Sequence, residues 1–193
     1  GRLNDYYFQT SNMTFPNATT DHSWYDLFAG SLSIERNSLD YKQYPISGRK
    51  QFLVAQYVTG TEKYMPSPIT DMGSFDRKVH SWLQMKGEWE QYKTISPYFN
   101  LGFMSELVLS SKNLMNNYTA SVLQAPAFTP TPHSQIVFNE AFRANQYVAF
   151  GLSPILKFSK LLHFRLDMYG FAPLYEIKKE EVWNNNTYTA IPY

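Results

Sequence analysis

Apolar and polar residues alternate with a period of two along much of the chain, and that period sets the first structural expectation. From Leu162 to Met168 the order is Leu, His, Phe, Arg, Leu, Asp, Met. An extended strand sends successive side chains to opposite sides, so Leu162, Phe164, Leu166 and Met168 share one face and His163, Arg165 and Asp167 the other. A helix would scatter both sets around its circumference. The same test succeeds from Leu83 to Gln91, where Leu83, Met85, Gly87 and Trp89 alternate with Gln84, Lys86, Glu88 and Glu90. Phe28, Gly30, Leu32 and Ile34 alternate with Ala29, Ser31, Ser33 and Glu35. Val148, Phe150 and Leu152 alternate with Tyr147, Ala149, Gly151 and Ser153. Less regular strands are expected over Leu3–Thr10, Gln51–Thr59, Phe99–Ser110, Gln135–Phe142 and Phe171–Lys179. No segment has the pattern of an amphipathic helix, although short helical turns fit within loops.

The connections are of two kinds. Ser159-Lys160 and Ile95-Ser96-Pro97 are tight, whereas Asn12–His22, Gly60–Arg77 and Lys112–Pro132 are long. Short turns alternating with long loops characterise membrane barrels, with turns at one rim and loops at the other. A soluble sandwich can show the same alternation. The expected fold class is therefore all-β and antiparallel, and the barrel is one of two ways to use it.

Composition bears on that choice. Aromatic residues make up 17% of the chain, with 15 Tyr, 14 Phe and 4 Trp, while Asp, Glu, Lys and Arg together reach only 17%. Charged residues in soluble domains are nearer ~25%. Aromatic rings suit strands, and Tyr and Trp also suit a membrane–water interface. A net charge of +1 leaves no basic footprint for nucleic acid. The absence of cysteine removes disulfides, thiolate metal sites and a Cys nucleophile. No window holds the ~18 consecutive apolar residues of a membrane helix, a test to which alternating barrel strands are blind. The chain opens at Gly1 without Met or a signal peptide and closes on Ile191-Pro192-Tyr193, so both ends are expected to be cut from something longer.

In a closed barrel, Lys86, Glu88, Glu90, His163, Arg165 and Asp167 would face a wet lumen. Leu83, Met85, Trp89, Phe164, Leu166 and Met168 would face lipid. Mixed-sign charge inside favours a wide barrel, because small soluble ones fill their interior with apolar side chains. The rival is a half-buried soluble sheet, with its apolar side toward a core and its charges in solvent.

Residues 36–50 have the chemistry of a hairpin connection. Asn37 and Asp40 can bond nearby backbone, Pro45 presets φ, and Gly48 permits φ > 0. The pattern Asn37-x-Leu39-Asp40 followed by Tyr44-Pro45-x-x-Gly48 resembles the hairpin of Omp85-type barrels, also called the bacterial surface antigen D15 family. Residues 117–157, running from Asn117-Tyr118-Thr119-Ala120 through the Pro-rich 125–132 stretch to Ser153-Pro154-Ile155-Leu156-Lys157, are similar to the barrel portion of Bacteroides-type patatin-like phospholipases. The resemblance extends over most of the chain from Trp24 onward. In that family a patatin hydrolase domain is followed by a small POTRA-like domain and a D15-like barrel. The resemblance thus implies that residues 1–193 are one incomplete barrel segment, with roughly 8–10 strands, of an outer-membrane protein in a Gram-negative bacterium. Its implied partners are membrane lipid, the rest of its own barrel and an N-terminal hydrolase domain.

The hydrolase chemistry itself is not expected here. A patatin site needs a Ser nucleophile within Gly-x-Ser-x-Gly, an activating Asp, and a Gly-rich loop to stabilise the oxyanion. Gly151-Leu152-Ser153-Pro154 lacks the closing glycine, and Pro154 would disturb the elbow. None of His22, His80, His133 and His163 has a partner at metal-ligand spacing apart from the adjacent Asp21-His22, whose side chains diverge. No cofactor, metal or catalytic residue is assigned. The Asn-x-Thr triplets at Asn12, Asn17, Asn117 and Asn185 are read as chance matches in Asn- and Thr-rich sequence. Three functions fit: a barrel that anchors or translocates a patatin-like hydrolase, a barrel piece of an Omp85 assembly or translocation protein, or a soluble sandwich or calyx for a small apolar ligand.

Overall fold

The computed structural model describes residues 2–8, 21–65, 76–116, 118–159, 162–182 and 185–192. Its frame is an antiparallel meander of β1 (Arg2–Phe8), β2 (Asp21–Asn37), β3 (Gly48–Met65), β4 (Asp76–Ser96), β5 (Phe99–Ser110) and β6 (Tyr147–Lys157). On the far side of β6 lie β7 (His163–Arg165) and β8 (Met168–Pro173). A separate hairpin, β9 (Tyr175–Val182) with β10 (Asn185–Pro192), follows β8 after Leu174. The fold is all-β and antiparallel, as the alternation predicts. Among the described residues the sheet is open, with β1 at one edge and β7–β8 at the other. Among the described residues no helix is long and apolar enough to cross a membrane.

β7 and β8 are one strand with a missing rung. Ile155 lies opposite Arg165 and Leu152 opposite Met168, so the register on both sides of the gap is the same. At the gap, Leu166 N–H donates to the Pro154 carbonyl at 3.1 Å. Pro154 has no N–H to return the bond. The expected strand Leu162–Met168 is therefore present in direction and facing, but broken at Leu166–Asp167.

The register, shifted only at the Thr94/Ser96 end of the β4–β5 pair, gives the sheet two chemically distinct faces. Between charged residues at the two ends of β2, β3 and β4, and along β5 to β8, the outward positions hold no Asp, Glu, Lys, Arg or His. On β2 they run Phe28, Gly30, Leu32 and Ile34 between Asp26 and Arg36. On β4 they run from Val79 to Gln91 between Arg77 and Lys93. On β5, β6 and β7–β8 they include Phe103, Leu107, Phe150, Leu152, Phe164 and Met168. These side chains are bare: Phe28 is 73%, Leu32 75% and Ile34 67% exposed.

The opposite, inner face is where the core lies. The connection between β5 and β6 does not leave the sheet but folds back over this face, carrying the short helix α1 (Tyr118–Leu123). Met115 and Ala120 pack on Tyr25, Val58 and Trp82. Phe128 and Ala144 pack on Val108, Tyr147 and Ala149, and Phe128 stacks on Phe171 at a ring distance of 6.0 Å. Val122 and Ala125 meet Ile177 of β9.

Several sequence expectations are corrected. Gln135–Phe142 is not a strand: it forms turns and a 3₁₀ turn at Glu140–Phe142, capped by Asn139, whose Oδ1 accepts from Ala141 N–H at 3.1 Å. β5 and β6 pair directly with each other, which leaves no place between them for this part of their connection. The expected loop Gly60–Arg77 is shorter, because β3 continues to Met65 and β4 begins at Asp76. The turn after β4 is at Pro97–Tyr98. Most of the expected Asn12–His22 loop and the Lys160 end of the Ser159-Lys160 turn lie outside the described residues.

The β2–β3 turn follows its sequence closely. Asn37 Oδ1 accepts from Leu39 N–H at 3.0 Å, and Asp40 Oδ1 accepts from Ile46 and Ser47 N–H at 3.0 and 3.2 Å. Gly48 sits at φ 102°, where a Cβ would lie 2.2 Å from the Ser38 carbonyl oxygen. Gly48→Ala should lower unfolding stability by about 1–3 kcal/mol. Gly30→Ala, at an outward site with nothing within 4 Å, should change it by less than about 0.5 kcal/mol. Denaturant titration of the two variants checks the contrast.

Candidate functional site

The inner face is the part of the molecule with organised chemistry, and β-pairing places its groups. Glu88 of β4 and Glu106 of β5 are directly opposite each other, an arrangement of like charges that is unfavourable alone. Lys86 bridges them, with Nζ 2.9 Å from Glu88 and 3.1 Å from Glu106. Lys50 reaches Glu88 from β3 at 2.8 Å, and the Tyr147 hydroxyl donates to Glu106 from β6. The carboxylates are thus each held by more than one partner, as charges out of water require.

A second cluster centres on Arg165. Its Nε donates to Asp167 at 2.7 Å, one Nη to the Pro45 carbonyl at 2.8 Å, and the other to the Tyr92 hydroxyl at 2.9 Å. The guanidinium also lies over the rings of Tyr44 and Tyr92. Asn100 Nδ2 donates to the Ile46 carbonyl at 2.7 Å. Together these contacts draw the β2–β3 turn inward over one end of the face, and Tyr44 adopts φ 53°, a left-handed conformation costly for a bulky residue. A polar cavity of about 230 Å³ remains between this turn, the Lys50–Glu88–Lys86 row and Thr129–Pro132.

A third cluster lies toward the other end. Glu62 is fully buried and accepts from the Tyr25 hydroxyl at 3.0 Å, from Asn116 N–H at 3.0 Å, and contacts His80 Nε2 at 2.7 Å. It fastens the covering segment to the sheet. Nearby, the Lys112 ammonium donates to the Gln124 carbonyl at 3.0 Å and stands over Trp82. Burial depresses the Lys112 pKa to about 7, against a smaller opposing pull from Glu62.

The residues singled out from the sequence are placed as follows. Lys86, Glu88, Glu90, Arg165 and Asp167 lie on the inner face, half-buried; His163 is on the same side but exposed at the sheet end. Leu83, Met85, Trp89, Phe164, Leu166 and Met168 lie on the outward side and are all exposed. In the turn, Asn37, Asp40 and Gly48 shape the backbone, Tyr44 and Pro45 meet Arg165, and Leu39 is partly buried. Sequence reading missed Glu62, Tyr25, Asn116 and Lys112, which converge only through tertiary packing. It also missed the pairing of Ser153 with Asp167, whose Oγ and Oδ1 are 2.5 Å apart. That pair does not make a hydrolase site. Ser153 is buried in mid-strand, with β5 on one side and β7–β8 on the other, and Asp167 is held by Arg165. Ser153 lies in a paired strand and not on an elbow that would offer N–H groups to an oxyanion. Among the described residues, no three His, Asp or Glu side chains converge as a metal site.

Two outcomes test these ties. Arg165→Lys keeps the charge but loses the planar fork. Amides of Ile46 and Ser47 should then exchange at least about tenfold faster, as expected for a charge-assisted bond worth ~1.5–3 kcal/mol; unchanged exchange would show that Arg165 does not hold the turn. For Lys112 the folded pKa lies below the unfolded value, so between about 7 and 10.5 the unfolded chain carries a proton that the folded one lacks. Stability should rise with pH across that window, by at most ~1.4 kcal/mol per pH unit. Lys112→Met should remove this slope in denaturant titrations at pH 7 and 9.5.

No family model, curated protein or solved structure matches the chain, so its functional reading rests on the two faces of the sheet and on the sequence segments described above.

Proposed function

We propose that the chain is a wall segment of an outer-membrane β-barrel of the D15 type, and that it anchors or carries across that membrane a patatin-like lipid acyl hydrolase domain lying outside residues 1–193. The observation that carries this reading is the uncharged outward face, continuous from β2 to β8 and bracketed by charged residues on β2, β3 and β4. From Val79 to Trp89 the outward apolar run on β4 would measure about 34 Å at ~3.4 Å per residue. Tilted by ~40°, it would stand ~26 Å tall, close to the ~25 Å apolar band of outer-membrane barrels.

The distribution of charge argues against a soluble calyx. A calyx is apolar within and polar without, whereas here Lys86, Glu88 and Glu106 lie under the covering segment while Phe28, Leu32 and Phe150 are bare. An apolar face this large in water is an aggregation liability. In a bilayer it is the required surface, and the open edges would need further strands to satisfy their backbone groups. A barrel piece of an Omp85 assembly or translocation protein rests on the same face. The sequence upstream separates the two: a Gly-x-Ser-x-Gly elbow belongs to the hydrolase reading, tandem POTRA domains alone to the other.

Leu32→Arg, outward in mid-band, should cost about 2–4 kcal/mol of folding stability in phospholipid vesicles, whereas Ser33→Arg on the inner face should cost less than about 1 kcal/mol. Equal costs, or a Leu32→Arg protein that is more soluble and equally stable without lipid, would remove the membrane reading. The chain alone should hydrolyse no lipid ester, and steady turnover would overturn the placement of the chemistry outside it.

A further inference from the structure

The two rims of the apolar face differ in charge. At the rim formed by the short turns, Arg36 on β2, Arg49 on β3 and Lys93 on β4 occupy outward positions just beyond the band, on three successive strands. None of the three is in an ion pair with a described carboxylate. The carboxylate in that turn, Asp40, is taken up by backbone N–H groups. Exposed aromatic side chains stand at the same level: Tyr41 and Tyr98 in the turns and Phe158 after β6. At the opposite rim the outward charges are mixed, with Asp26 beside Lys63 and Arg77.

We infer that the turn-side rim is a docking surface for the anionic headgroups of bilayer phospholipids. This rests on the membrane reading above and assigns a partner to one edge of it. The cations pair with no described carboxylate, they follow one contour, and they adjoin an uncharged band whose end marks where acyl chains give way to headgroups. Aromatic rings at that level are amphipathic enough to sit in the same layer. A lipid phosphate is the anion that such a position would meet, and each Lys or Arg near an anionic surface contributes on the order of a fivefold gain in binding. The mixed-charge rim offers no such preference.

The test is refolding of the full chain from urea into vesicles of phosphatidylcholine alone, or with a minority of phosphatidylglycerol, with partition read by Trp fluorescence. The wild-type chain should partition more strongly into the anionic vesicles, and about 1 M salt should cancel the gain. Arg36→Gln, Arg49→Gln and Lys93→Gln combined should lose the gain, on the order of fivefold per residue. Charge-retaining Arg36→Lys, Arg49→Lys and Lys93→Arg should keep it, which separates lost charge from lost folding. Lys63→Gln with Arg77→Gln should also keep it. Equal partition of the wild-type chain into both vesicles would overturn the inference while leaving the membrane reading intact. So would a gain that the Gln variants retain, that the opposite-rim variant loses equally, or that soluble glycerol phosphate abolishes. Failure to enter either vesicle would bring down the membrane reading and this inference with it.

Discussion

The register from β2 to β8, shifted only at the Thr94/Ser96 end of the β4–β5 pair, is the constraint on which the rest of the molecule depends. A slip of one residue between any two strands would exchange the faces from that strand onward. Leu53 would turn inward against the covering segment and Lys86 outward onto the apolar band. Register is strongly specified only where the faces differ in what they will accept, and here both faces discriminate. The outward side tolerates no ion over most of its height, and the inner side pairs Lys50, Lys86 and Arg165 with Glu88, Glu106 and Asp167. The backbone ladder and the side-chain chemistry therefore select the same alignment.

The inner face is more than a polar lining. Its three clusters join elements that are distant in sequence: Arg165 to Pro45, Glu62 to Asn116, and Tyr147 to Glu106. The first two link the sheet to something laid over it, and the third ties β5 to β6 across the long connection between them. The apolar contacts of Met115 and Phe128 bring the covering segment down, and the polar contacts fix where it lands. Burial is non-directional, whereas a hydrogen bond to a fully buried carboxylate is satisfied in few geometries.

Much of the wall was legible because strand alternation is local. Four regular runs and the Asn37–Gly48 turn could be read directly, the turn because Asn, Asp and Gly carry their backbone preferences with them. The ends of β3 and β4 were harder. Outward Thr59, Thr61 and Ser81 interrupt the apolar signal, so Gly60–Arg77 looked like loop although pairing continues through Thr61 and Val79. Gln135–Phe142 failed in the opposite sense: Ile136, Val137 and Phe138 look like strand, but β5 and β6 pair directly and leave no place between them. The inner clusters were illegible for a third reason. Glu62 and His80 have no spacing signature, and only the fold of residues 111–116 over the sheet brings Asn116 to them. Closure of the sheet is likewise a property of edges, and alternation within a strand carries no information about it.

Pro154 gives the far edge of the sheet an uneven stiffness. A backbone ladder resists bending along its whole length, and removal of one rung concentrates flexion at that point. Beside the missing rung, Ser153 is cross-linked to Asp167 and Asp167 to Arg165. Side chains thus splice the two halves of the strand where the main chain does not, and they do so from one face only. The joint is accordingly directional: it is braced against opening on the inner side and left compliant on the outward side, where only apolar surface lies.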